Sequence, residues 1–168
     1  MCDFIYKSYL SFIMRQIAFV KNHEKIQKLM IYECSEGVYL FGYDRLNDTS
    51  CIWDLYYNSL EESKEYCNET YSIDDKDWIE ITDPEDDCQH DFILPTKKSD
   101  SNSQYKYQFF VGGQWRDNFI SDTTEHSFGG LTANERLFIT GLIYEYDKAK
   151  INDHVKAEKI LIALSIKA

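Results

Sequence analysis

The chain has 168 residues, 43% of them hydrophobic, which suits one domain, or one domain with a small appendage, and argues against wholesale disorder. Its formal net charge of −11 repels phosphate backbones, which argues against nucleic acid as a partner and favours a basic protein instead. The five cysteines (Cys2, Cys34, Cys51, Cys67 and Cys88) form no CxxC pair and no disulfide framework, so reduced thiols in a cytoplasmic setting are expected.

Phe4 to Val20 is apolar-rich, but Lys7, Arg15 and Gln16 interrupt it, so it fits neither a membrane span nor a secretory leader. Leu10, Ile13, Met14 and Ile17 fall at helical spacing, and residues 1–29 are expected to form an amphipathic helix or a dispensable extension, with Met30 as an alternative start. Met30 to Cys34 and Val38 to Tyr43 read as a hairpin turned at Ser35-Glu36-Gly37, with Cys51 to Tyr57 as a third strand. Ser59 caps a helix running to Tyr71, with Glu61 and Glu62 in its first turn.

Asp77 to Ile81 reads as a fourth strand and Phe92 to Pro95 as a short edge strand. Gln104 to Val111 and Gln114 to Arg116 form a second hairpin around Gly112-Gly113. Thr132-Ala133-Asn134-Glu135 is a capping box that opens a helix to Ala149, and a further helix carries Ala157, Ile160, Leu161 and Leu164 on one face. The expected fold class is α+β: a mostly antiparallel sheet of five or six strands in residues 30–120, one packed helix, and a C-terminal helical hairpin in residues 131–168.

Charge is uneven along this order. Residues 61–91 hold 13 acidic groups against Lys64 and Lys76, a local excess equal to that of the whole chain. Asp74, Asp75, Asp77, Glu80, Asp83, Glu85, Asp86, Asp87 and Asp91 crowd into 18 positions, a density that costs stability through repulsion. We take this run, with the aromatic neighbours Trp78 and Phe92, as the expected contact surface for a basic partner. The plain alternative is a solvated face that keeps the chain soluble.

Chemistry has fewer footholds. The acidic run lacks the glycine and ligand spacing of a calcium loop. Cys88, His90 and Asp91 are the densest reactive set and define the alternative of a small metal- or thiol-dependent hydrolase; two ligands make no zinc site, and a buried thiol with a backbone-bonded His is the plainer reading. No cofactor is expected, and no catalytic residue is assigned. A third alternative is an oligomerising module built on the C-terminal hairpin. The aromatic residues Tyr39, Phe41 and Tyr43 alternate on one strand, and Trp53, Tyr56 and Tyr57 mark its neighbour; Phe41, Trp53, Trp78 and Phe109 read as core, while the tyrosines stay open between core border and interface.

The blocks MIYECSEGVYLFGYD, DWIEITDP and CQHDFILP resemble a group of small uncharacterised bacterial proteins with the same block order, and LTANERLFITGLIYEYDKA is similar to a helical segment in many small bacterial proteins. Some of these are encoded beside polymorphic or contact-dependent toxins and look like immunity proteins. The resemblance spans about half of the chain and implies a non-catalytic protein that neutralises a cognate toxin domain; it transfers no functional residue.

Overall fold

The computed structural model describes residues 14–100, 102–117 and 128–166. Within them the order is β1 (Met14–Phe19), β2 (Lys28–Cys34), β3 (Gly37–Tyr43), β4 (Trp53–Tyr57), α1 (Leu60–Tyr71), β5 (Ile79–Ile81), β6 (Thr96–Lys98), β7 (Tyr107–Val111), β8 (Gln114–Asp117), α2 (Ala133–Ile139), α3 (Ile143–Asn152) and α4 (His154–Ala163). The fold is α+β, with two antiparallel sheets rather than one: a five-stranded sheet in the order β4-β3-β2-β1-β5 and a three-stranded sheet β6-β7-β8.

The expected N-terminal helix is corrected over Met14–Phe19, which is an inner strand paired with β2 on one side and β5 on the other. Leu10 and Ile13 lie outside the described residues. The reason for the misreading is physical. Ile17 faces one side of the sheet and Ala18 the other, and both are fully buried. A strand covered on both faces carries a near-continuous apolar run, which a helical template also fits. Residues 14–19 are therefore a strand of the sheet, the connection after them buries Val20 and Ile26 in the core, and β2 starts at Lys28, not Met30, so this stretch is not a dispensable extension.

Each sheet face has its own core. Ile17, Met30, Phe41, Tyr43 and Ile79 pack against Leu137, Leu142, Ile160 and Leu164 of the C-terminal helices and their connections. On the reverse face Ala18, Leu29, Ile31, Leu40 and Trp78 pack against Cys67 of α1, with Leu60, Tyr66 and Tyr71 at the border. The register follows the period of two: Ile17 lies opposite Met30, and Met30 opposite Phe41. Gly42 leaves room for the Trp53 indole, since a Cβ there would sit 2.1 Å from the ring.

Ser59 caps α1 by accepting from the Glu62 amide, as the sequence predicts. Thr132 and Glu135 form the expected capping box, but the helix they open stops at Ile139. Gly141, at φ +77°, turns the chain there, and a Cβ in its place would lie 2.7 Å from Asp48 Oδ2. The chain resumes as α3, and α3 and α4 form the expected hairpin. No described helix is long and apolar enough to cross a membrane.

Candidate functional site

The segment from Thr82 to Leu94 follows β5, contacts the helix-facing side of the large sheet through His90, Asp91 and Ile93, and is fastened by buried polar side chains. Arg15 on β1 is 1% exposed. Its Nη1 donates to the Phe92 carbonyl at 2.6 Å, and its Nε and Nη2 donate to the Thr82 carbonyl. Thr82 in turn donates its amide and hydroxyl to Glu145 of α3, and Lys156 of α4 pairs with the other Glu145 oxygen at 2.8 Å. Asp48 is fully buried and accepts the Ile93 and Leu94 amides at 2.9 and 2.8 Å. Tyr43 donates its hydroxyl to the Asp91 carbonyl at 2.7 Å, and the Asp91 carboxylate accepts the Cys51 amide at 2.9 Å.

These bonds also explain why Phe92 to Pro95 is not the expected edge strand. The Phe92 carbonyl and the Ile93 and Leu94 amides are taken by Arg15 and Asp48 side chains and the Leu94 carbonyl accepts the Thr96 hydroxyl, so these groups enter no ladder; contact with β7 starts with the Pro95 carbonyl, which accepts the Phe110 amide, and the paired strand starts at Thr96.

The electrostatics follow burial. Desolvation lowers the Lys28 pKa to about 8, against the opposing pull of Asp48 and Asp91. Desolvation likewise raises that of Asp48, with Lys28 and the two amides resisting. For Glu145 burial pushes upward, but hydrogen bonds from Lys156 and Thr82 outweigh it and hold the carboxyl below its usual range.

The acidic run does not form one patch. Asp74, Asp75 and Asp77 sit in the turn after α1 and are answered locally. Asp75 pairs with Lys64 at 3.0 Å and Asp74 with Lys76 at 3.0 Å, while Asp77 accepts the Asp74 amide. Glu80 is exposed on the edge strand β5. Asp83, Glu85, Asp86 and Asp87 are exposed and make no ion pair among the described residues. Trp78 and Phe92, expected as contact aromatics, are 3% and 2% exposed and belong to separate cores. Asp91 is half-buried and engaged with Cys51.

A cleft of about 630 Å³ opens beside the fastened segment. Its floor is formed by Tyr32, Tyr39 and Phe41 on the helix-facing side of the large sheet. Tyr32 and Tyr39 belong to a cross-strand row that runs Ile81, Arg15, Tyr32, Tyr39, Tyr56 and extends beyond the cleft at both ends. Cover thins along this row, from Arg15 at 1% exposed through Tyr32 at 7% to Tyr56 at 53%. Tyr39 is flanked by near-parallel rings: Phe41 at 6.3 Å and 8°, and Tyr32 at 6.4 Å and 26°. Tyr56 meets Tyr39 edge-on at 5.5 Å and donates its hydroxyl to the Glu36 carbonyl. Asp54, opposite Phe41, and Glu36 place exposed carboxylates at the margin, and Cys88, Gln89, His90 and Asp91 close the other wall.

The tyrosine alternation was visible in the sequence, but Glu36 and Asp54 carried no signal, because nothing local ties either to residues 88–91. The same holds for Arg15, Lys28, Asp48 and Glu145, whose partners lie far along the chain.

Cys88 and His90 come together on the cleft wall without forming a dyad. Burial raises the Cys88 pKa, which keeps the thiol protonated, and the His90 ring packs on Tyr32 at 4.9 Å. Among the described residues no group of three or more His, Cys, Asp or Glu is placed to hold a metal ion. On the C-terminal hairpin, Ile151, Val155 and Ile162 are exposed. Comparison with known proteins returns no match to any family model, curated protein or solved structure.

Proposed function

We propose that this is an acidic protein-binding protein whose 83–87 loop docks on the basic surface of a partner, and most specifically an immunity protein that neutralises a toxin domain in the cytoplasm. The observation that carries the reading is the contrast between four exposed acidic side chains with no ion pair among the described residues, Asp83, Glu85, Asp86 and Asp87, and the buried bonds that fasten the chain on either side of them. Repelling carboxylates held at a fixed place lower stability, and a positive surface arriving there relieves that repulsion. A rigid presentation also avoids the ordering cost that a mobile loop incurs on association. A toxin acting on nucleic acid has a basic substrate cleft, and an acidic loop seated in it excludes the substrate.

The test is kinetic. A partner captured from the native cell and purified is mixed with the wild type and with a Glu85→Gln, Asp86→Asn, Asp87→Asn variant over a range of salt. Association of the variant is expected to be about tenfold slower at low salt, with a flatter salt dependence. An association rate and salt dependence unchanged by the substitutions sink the reading.

A further inference from the structure

We propose that the cleft beside the loop is a receptor for one arginine side chain of the basic partner, its guanidinium lying on the Tyr39 and Phe41 rings and its N–H groups directed to Asp54 and Glu36. This rests on the reading that the partner is a basic protein.

Four observations select that occupant. The cleft lining includes neither lysine nor arginine, and His90 is its only basic side chain, so an anion finds no permanent counter-charge there. Exposed carboxylates of Glu36 and Asp54 sit at its margin, which disfavours a purely apolar ligand. Neither makes an ion pair among the described residues, so neither charge is already spent on the chain's own cations. The ring planes of Tyr39 and Phe41 differ by only 8°, and Tyr32 continues the wall at 26°. A planar, weakly hydrated guanidinium stacks on such faces and offers forked donors to carboxylates; a compact, strongly hydrated ammonium does neither as well. Neighbouring tyrosines, rather than flexible side chains, also keep the wall in place when it is empty: Tyr56 is held by the Glu36 carbonyl and abuts Tyr39 edge-on.

The probe is N-acetyl-arginine amide, titrated into the full chain while nuclear magnetic resonance signals of Tyr39, Tyr56, Glu36 and Asp54 are followed. N-acetyl-citrulline amide supplies the same shape without the charge, and N-acetyl-lysine amide the charge without the plane. Saturable shifts confined to the cleft are expected for arginine, several-fold weaker binding for lysine, and none for citrulline. Tyr39→Leu and Asp54→Asn should each weaken arginine binding roughly fivefold, whereas Asp74→Asn with Asp75→Asn, away from the cleft, should leave it unchanged. Equal response to arginine and citrulline, or full retention of binding in Tyr39→Leu and Asp54→Asn, overturns the proposal. If the arginine probe fails while neutralising the loop still slows the captured partner, the cleft assignment falls and the partner reading stands. If the probe binds as expected while the loop variant associates at the wild-type rate, the guanidinium site stands and the loop-docking reading falls.

Discussion

Two acidic segments of similar density meet opposite fates. In 74–77 the carboxylates are answered by Lys64, by Lys76 and by the turn's own backbone. In 83–87 they are exposed with no ion pair among the described residues, although the chain runs on from one segment to the other through the short strand β5. Charge counted along a sequence thus says little about charge presented by a surface. Local neutralisation decides it, and the neutralising lysine of Asp75 lies 11 residues upstream on α1. A second difference is in how the segments are held. The first is a tight turn that satisfies itself, whereas the second depends on ionised or polar groups buried beneath it.

The largest expected effect breaks that dependence. Asp48→Ala removes the acceptor of the Ile93 and Leu94 amides and takes from the buried Lys28 the stronger of the two carboxylates that favour its charge, Asp48 and Asp91. Stranding a buried charge costs roughly 3–5 kcal/mol. Urea unfolding of the variant should show a loss of that order, or no cooperative fold at all. A loss within experimental error means that the segment is held by something other than these bonds.

Next in size is a pH effect. Lys28 titrates near 10.5 in the unfolded chain and at about 8 when folded. Between those values the unfolded chain binds a proton that the folded chain does not, so stability rises with pH across the window. Below pH 8 both states are protonated and the charged Lys28 carries its full burial cost, roughly 3 kcal/mol relative to pH above 10.5. Lys28→Met removes the titration. Stability curves measured from pH 7 to 11 should therefore converge or diverge by about that amount, the wild type gaining on the variant as pH rises; parallel curves contradict the assignment.

What was legible in the sequence shares a property: its determinants are local. The β2–β3 hairpin turns on Gly37, α1 on the Ser59 cap, and α2 on Thr132 and Glu135, all within a few residues of what they organise. The alternation of Tyr39 and Phe41 likewise pointed to the face that lines the cleft. What was missed depends on separation. Arg15 looked like a break in an apolar run, yet it bonds Thr82 and Phe92, 67 and 77 residues away. β1 was misread because both of its faces are covered, which no window of one segment can reveal. For Trp78 the core reading holds and the contact reading that its acidic neighbours suggest does not; Phe92, expected only as a contact, is buried as well.

The smallest effect is also the sharpest on the comparison, because it is one of sign. Asp75→Asn removes a partner of Lys64, so it should lower stability slightly; exposed pairs are worth roughly 0.2–1 kcal/mol. Asp86→Asn removes a carboxylate that has acidic neighbours on either side and no paired cation among the described residues, so stability should stay level or rise. Urea midpoints at low and high salt measure both, and both differences should shrink at high salt, where exposed charges are screened. If Asp86→Asn destabilises as Asp75→Asn does, the loop has an internal partner of its own. Its charge is then used in holding the fold, and no surplus is left to draw in a basic protein.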